Sequence, residues 1–430
     1  MKIVLITGGL VMLIVVAVRQ WQTEKPAIKL WFWPALLCKI VAGFTIGLLY
    51  TYYYEAGDTF NFFSDGTKLS SLGRLDPVSY IKFLLWGDES FAVWQHLIFQ
   101  QPRSLFFTKC ISLVNLLTAD NYWLTSIYFS SISFIGAWLL VKRLTRAFPA
   151  APLSGVLAFL FFPSVVLWSS GVIKESLAMP CLFYLTALFL KIWQGKRLRF
   201  WEWILLLPSG LILWNLKYYY AGIFLPVAVT TLAVRYISRR ILTGMSASGQ
   251  MLLWCGVFVV PLYVVMLFHP NFDPGYLLEV IVLNNEAYTR ISSPDNLIYF
   301  NDLQPAVWSL LKNAPWAFFS AVYRPFFWEA DSWLKFFGAC ENLLLLAGSV
   351  MACWQIRRAI GPGYRVLVLG VAVYIVLLSI FLAFSTPNFG TLARYRIGFL
   401  PFFVFLLLRS PLMVHLFSRM RERFFLRLVR

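Results

Sequence analysis

Charge is what this sequence has least of. Only 13% of its 430 residues are Asp, Glu, Lys or Arg, about half the ~25% of an ordinary soluble domain. A soluble globular class is therefore excluded. Cysteine is sparse as well: Cys38, Cys110, Cys181, Cys255, Cys340 and Cys353 are scattered singly, with no spacing that suits a disulfide framework or a zinc site. His96, His269 and His415 are the only histidines, and they form no HExxH-type ligand motif. The chain has no GxGxxG, no P-loop and no Asn-x-Ser/Thr sequon, which removes support for soluble nucleotide binding. It also lacks an internal repeat, which counts against a transporter built from inverted halves.

What fills the sequence is apolar and aromatic, 60% and 18% of residues, for a mean hydropathy of +0.72. Stretches of about 20 residues, enough to cross ~30 Å of hydrocarbon, recur along the whole chain. The expected fold is an all-α polytopic membrane protein, one membrane domain over 1–430. About eleven transmembrane helices are expected, within a range of nine to thirteen, near 3–18, 36–54, 122–141, 152–170, 175–194, 201–216, 219–234, 251–268, 338–356, 365–384 and 397–413. The first is read as a retained helix, because Arg19-Gln-Trp-Gln follows it instead of a small-residue cleavage site.

Lys and Arg set the orientation. The loops 19–29, 142–151, 191–200, 235–250 and 357–365 and the tail from 409 hold 22 of the 37, with only Glu24 and Glu422 among the acids. These segments, including the basic tail 414–430, are expected on the cytoplasmic side of a bacterial inner membrane. The net charge of +18 is then mostly topology: its partner is an anionic lipid surface, not nucleic acid. Sixteen of the 19 acids fall on the opposite, external side.

Two long segments, 55–121 and 269–337, also lie on that external side, and structured loops of this length are usually functional. Between 76 and 118 apolar residues keep helical spacing, as in Tyr80, Phe83 and Leu84, with breaks at Gly87 and Pro102. The segment 305–333 is similarly rich in Trp and Phe. Both are expected to form short amphipathic helices at the bilayer surface.

A small set of polar residues gathers at the external ends of spans. "YEAGDTFNFFSDGTK" places Glu55, Asp58 and Asp65 just after an apolar run; Asp58 and Asp65 are seven apart and would share a helix face with Phe62. Lys174 and Glu175 occupy a tight hairpin in "FFPSVVLWSSGVIKESLAMP", and Lys217 precedes three tyrosines. Arg324, Glu329 and Asp331 lie in the second long loop, and Arg394 and Arg396 flank Tyr395 where the chain re-enters the apolar phase. Positive charge is disfavoured on the external side, so this last pair reads as an anion site. For a lone Lys217, a snorkelling anchor is the competing reading; for Asp58, a helix cap is.

This constellation resembles the GT-C superfamily of integral membrane glycosyltransferases, which includes the protein O-mannosyltransferases and the lipid A aminoarabinose transferases. The matching pieces are "GDTFNFFSDG" opening a long first external loop, the amphipathic helices of that loop, and the late "RYRIGFLPF", close to an Arg-Tyr-x-x-Pro element. "FPSVVLWSSGVIKES" is similar to a segment common in bacterial membrane proteins of this kind. Two departures stand out: Gly398 where a proline is frequent, and no Asp-x-Asp pair.

The resemblance implies transfer of a sugar from a polyprenyl-phosphate carrier to an acceptor hydroxyl on a glycan, lipid or protein, outside the cytoplasmic membrane. Such a transfer needs a general base and cations for the departing phosphate. Asp58 is expected as the base, with Glu55, Asp65 and Glu329 as supporting acids. Lys174, Arg394, Arg396, Lys217 and Arg324 are expected at the donor phosphate, and Tyr395, Trp168 and Tyr218 at acceptor or lipid. No metal ligand set is expected. No cofactor is implied beyond the lipid-linked sugar, with a divalent cation as the one further candidate.

Two other classes share the setting. A polymerase or ligase of lipid-linked glycan would lean on external arginines more than on a first-loop acid, whereas here external acids outnumber external Lys and Arg. A flippase or transporter would place ionisable residues mid-span; the sequence-based span 36–54 puts Lys39 near a cytoplasmic end instead.

Overall fold

In the computed structural model, which describes residues 2–54, 57–149, 152–270, 273, 275–359 and 362–416, secondary structure is helical and contains no strand among the described residues. Among the described residues, seven helices are long and apolar enough to cross a membrane: Pro26–Tyr52, Tyr122–Ala147, Glu175–Trp193, Phe200–Arg240, Ala247–Met266, Trp333–Trp354 and Arg365–Ser385. The pair Phe389–Gly398 and Leu400–Leu408, bent by 64°, makes an eighth if read as one broken span. The chain is a membrane protein of several apolar helices.

The differences from the sequence reading have local causes. The expected spans 201–216 and 219–234 fall in one helix, Phe200–Arg240, interrupted at Lys217, whose backbone (φ −145°, ψ 64°) is not helical. The expected span 152–170 is broken into Pro152–Val156, a wide turn over Leu157–Phe161 and Pro163–Leu167, as Pro163 dictates by removing an amide donor. Near the N-terminus the helix Lys2–Gln22 covers the expected span 3–18, and its apolar part, Ile6–Gln22, is shorter than the seven helices above.

The chain divides into two compact units. The first comprises Met1–Leu144, Val166–Ala187 and Arg199–Tyr218; the second comprises Thr145–Val165, Leu188–Leu198 and Tyr219–Arg430.

Within the first unit, the segment after Tyr54 folds into three helices, Asp58–Leu75, Pro77–Trp86 and Pro102–Thr118. Their boundaries follow local chemistry. Gly57 precedes the first, Asp76 caps the second by accepting from the Ser79 amide at 3.1 Å, and proline opens the second and third, a position where the missing N–H costs nothing. The apolar stripe expected to face the bilayer is divided. Tyr80 and Phe83 are buried with Leu69, Leu97 and Leu105 in a core of the segment's own, while Ile81, Leu85 and Trp86 stay exposed. Asp65 pins this core: it is fully buried and accepts from the amides of Ile98 (2.8 Å) and Phe99 (2.9 Å) and from Lys68 Nζ (2.9 Å).

The second unit contains the corresponding later segment, with helices Leu277–Ile291 and Val307–Tyr323 and a short turn at Phe327–Glu329. An isolated antiparallel bridge joins Leu297 to Asn388.

Candidate functional site

Glycine shapes the polar end of the first unit. Gly171 adopts a left-handed backbone, φ +75°, in the hairpin before Lys174, and an added Cβ there would lie 3.1 Å from the Gly43 carbonyl. On Gly43 a Cβ would fall 2.3 Å from Ser130 Oγ, the same hydroxyl that accepts from the Gly171 amide at 3.0 Å. Two glycines back to back thus let the hairpin lie directly on the helix Pro26–Tyr52.

Seated there, the hairpin meets the start of the helix Asp58–Leu75. Thr59 donates to the Val172 carbonyl at 2.7 Å and pairs with Tyr122 OH at 2.9 Å. Lys174, half-buried, places its ammonium 2.9 Å from Ser104 Oγ and 4.8 Å from the centre of the Phe62 ring. Asp58 begins the helix one residue before the Thr59–Val172 contact, exposed and with no hydrogen-bond or ion-pair partner among the described residues.

Next to Lys174, Glu175 is fully buried and paired with Lys217 at 2.6 Å. The non-helical backbone at Lys217 falls where this pair forms. Tyr218 follows, buried, with the Arg103 guanidinium 4.9 Å over its ring. Trp168 is buried at the entry to the same hairpin. This unit therefore gathers Asp58, Lys174, Lys217, Tyr218 and Trp168 around one hairpin, whereas Asp65 is spent on holding the loop core. Glu55 lies outside the described residues.

The second unit gathers the remaining candidates. Arg324 makes a two-nitrogen ion pair with Glu329, which also accepts from the Phe326 amide at 2.8 Å, and lies 4.9 Å over Phe389. Phe389 starts the short helix that ends in Arg394 and Tyr395. Arg394 is half-buried and 5.9 Å over the Tyr395 ring, and the Tyr395 carbonyl accepts from Tyr220 OH at 2.6 Å. Arg396 turns inward: it is buried and donates to Glu341 at 3.0 Å and Asn342 at 2.6 Å, while Glu341 also accepts from the Ser164 amide at 3.0 Å. Its charge is balanced inside the protein.

Three participants escaped the sequence reading. Arg103 and Ser104 sit in the segment 55–121 outside any motif and Thr59 inside "GDTFNFFSDG" without being singled out there; only tertiary contact with the Lys174 hairpin marks them. Lys39 is a correction. It lies midway along Pro26–Tyr52, not near an end, and is fully buried, donating to Ser133 Oγ at 3.1 Å and to Ser169 Oγ with no carboxylate partner among the described residues. The sequence put it near an end because the span was started ten residues late.

Among the described residues no three His, Cys, Asp or Glu groups converge as a metal site. Comparison with family models, curated proteins and solved structures gives no match for this chain.

Proposed function

We propose that the protein is an integral membrane glycosyltransferase of the GT-C kind, moving a sugar from a polyprenyl-phosphate donor to an acceptor hydroxyl for the cell envelope. The observation that carries this reading is the pairing of opposite roles on one hairpin. An exposed carboxylate with no described partner, Asp58, stands one residue from the contact that fixes the loop bearing Lys174. A base with a free lone pair can take the acceptor proton, and an ammonium on that hairpin can stabilise the leaving phosphate. Arg103 over Tyr218 adds a second cation to that side. A divalent cation remains compatible with an exposed acid.

The proposed topology has eleven spans: the helix Phe200–Arg240 counts twice across its break at Lys217, the bent pair counts once, and the two shorter apolar helices are included. The site faces outward from a bacterial cytoplasmic membrane and the C-terminus faces the cytoplasm.

One observation favours a second reading. A buried lysine at mid-span with no carboxylate partner among the described residues is what a transport pathway would need, so a flippase of lipid-linked sugar is the alternative. Reconstitution with a synthetic short-chain polyprenyl-phosphate sugar and a soluble acceptor separates the two. The transferase yields a covalent product that disappears in Asp58→Asn. A flippase moves the lipid across the bilayer without product and depends on Lys39 instead. Transport without product would end the transferase reading.

A further inference from the structure

A groove of about 400 Å³ lies in the first unit, between the N-terminal helix, the helix Pro26–Tyr52 and the helix Tyr122–Ala147. Its walls are Leu13, Ile14, Ala17, Leu36, Ile40 and Ile135 among others, and apart from the two indoles of Trp33 and Trp138 only Gln20 and Ser131 bring polar atoms to it among the described residues. Ile14 and Ile135 are exposed, so the groove opens sideways.

Its depth identifies the occupant. It extends from Leu10 to Gln20, and ten residues at ~1.5 Å each give about 15 Å, half of a ~30 Å hydrocarbon core. That is one leaflet, the length of an acyl chain. A further helix, ~10–12 Å across and crossing both leaflets, does not suit a trough of this size.

The mouth is cationic. Trp33, which lines the groove, has its ring 6.3 Å from that of Trp21, and Lys29 Nζ sits 4.4 Å from the Trp21 ring centre. The nearby acid cannot neutralise it: Glu24 is taken by Gln20 and by Lys142 at 2.7 Å. Lys29 has no carboxylate partner among the described residues, and Lys25, four residues before it, and Arg19 are exposed and likewise without one there. Paired tryptophans at this level are the usual mark of the headgroup region.

We propose that this groove binds one acyl chain of an anionic glycerophospholipid whose headgroup phosphate is held by Lys29. A zwitterionic ethanolamine lipid would bring its own ammonium against the same cations and is disfavoured.

Native mass spectrometry of the full chain in detergent, titrated with dioleoyl phosphatidylglycerol or dioleoyl phosphatidylethanolamine, tests this. The expected result is one retained phosphatidylglycerol, preferred at least tenfold over the ethanolamine lipid. Lys29→Gln, a change at a half-buried surface side chain, should erase the preference, and Ala17→Trp, which fills the groove, should lose the retained lipid. Equal retention of the two lipids by the natural chain, or a preference that survives Lys29→Gln, would overturn the proposal. So would a dimer that Ala17→Trp disperses while lipid retention stays unchanged, because the groove would then belong to a second copy.

Discussion

Asp58 and Asp65 differ by two turns of one helix, yet their surroundings assign them opposite work. Asp65 accepts three hydrogen bonds in a buried core, so Asp65→Asn puts an amide donor against donors. It is expected to cost about 1–3 kcal/mol, read as a lower unfolding temperature in detergent. Asp58, exposed at the helix start, is expected to behave in the reverse way: Asp58→Asn keeps the unfolding temperature and lowers transfer by about 10²–10⁴-fold, the worth of a general base. Normal transfer by Asp58→Asn would remove the base from this position. The Glu175–Lys217 pair is a third case. Both members are buried, so Lys217→Met alone should destabilise by roughly 3–5 kcal/mol, while Lys217→Met with Glu175→Gln should recover much of the loss, since the cost lies in the stranded charge. A double variant no more stable than the single one would show that the two charges are not coupled.

At the scale of elements, the hairpin carrying Lys174 depends on Gly171 more than on any polar contact. Gly171→Ala forces a side chain into the left-handed region and against the Gly43 carbonyl. A cost on the order of 1–2 kcal/mol is expected, together with a loss of transfer larger than the stability loss explains, because the hairpin shifts Lys174 with it. Unchanged activity at matched stability would separate the hairpin from the chemistry. The helix Pro77–Trp86 should respond to acid. Hydrogen bonding from Ser79 holds the Asp76 carboxyl below its ordinary value of 3.8, so its capping contribution is present above that ordinary value and is lost as pH falls through the lowered one. Proteolysis of the 77–101 region should therefore accelerate below about pH 4, and Asp76→Asn, which caps equally well, should abolish the acceleration.

For the whole molecule, topology is the decisive measurement. In a cysteine-free background, Ser64→Cys, exposed on the helix Asp58–Leu75, is expected to react with an impermeant thiol reagent added outside the cell. Lys25→Cys, in a basic loop, is expected not to react. The reverse labelling would turn the site inward. Much of the membrane architecture was legible in the sequence, because a span is announced by twenty apolar residues whatever surrounds it. The break at Lys217 was not legible, since it falls where the buried pair with Glu175 forms, whereas the break before Pro163 was announced by the proline itself and was read through as one span. The candidate site was readable as a list of charges near span ends but not as an arrangement. Nothing in "QQPRSLF" signals that Ser104 will hold Lys174, and Arg396 looked like Arg394 until burial against Glu341 divided them.

The sequence by itself determined that this chain lives in a membrane, is helical, and concentrates its acids in particular segments, because hydrocarbon leaves no alternative to helices for an apolar chain and every unpaired charge must find an interface or a partner. Only the tertiary structure decided which charges are available. Asp65, Arg396, Glu175 and Lys217 are consumed by partners far away in sequence, Lys39 is buried at mid-span among serines, and Asp58 remains exposed. Desolvation and pairing depend on neighbours brought together by packing, and a one-dimensional pattern contains no record of those neighbours.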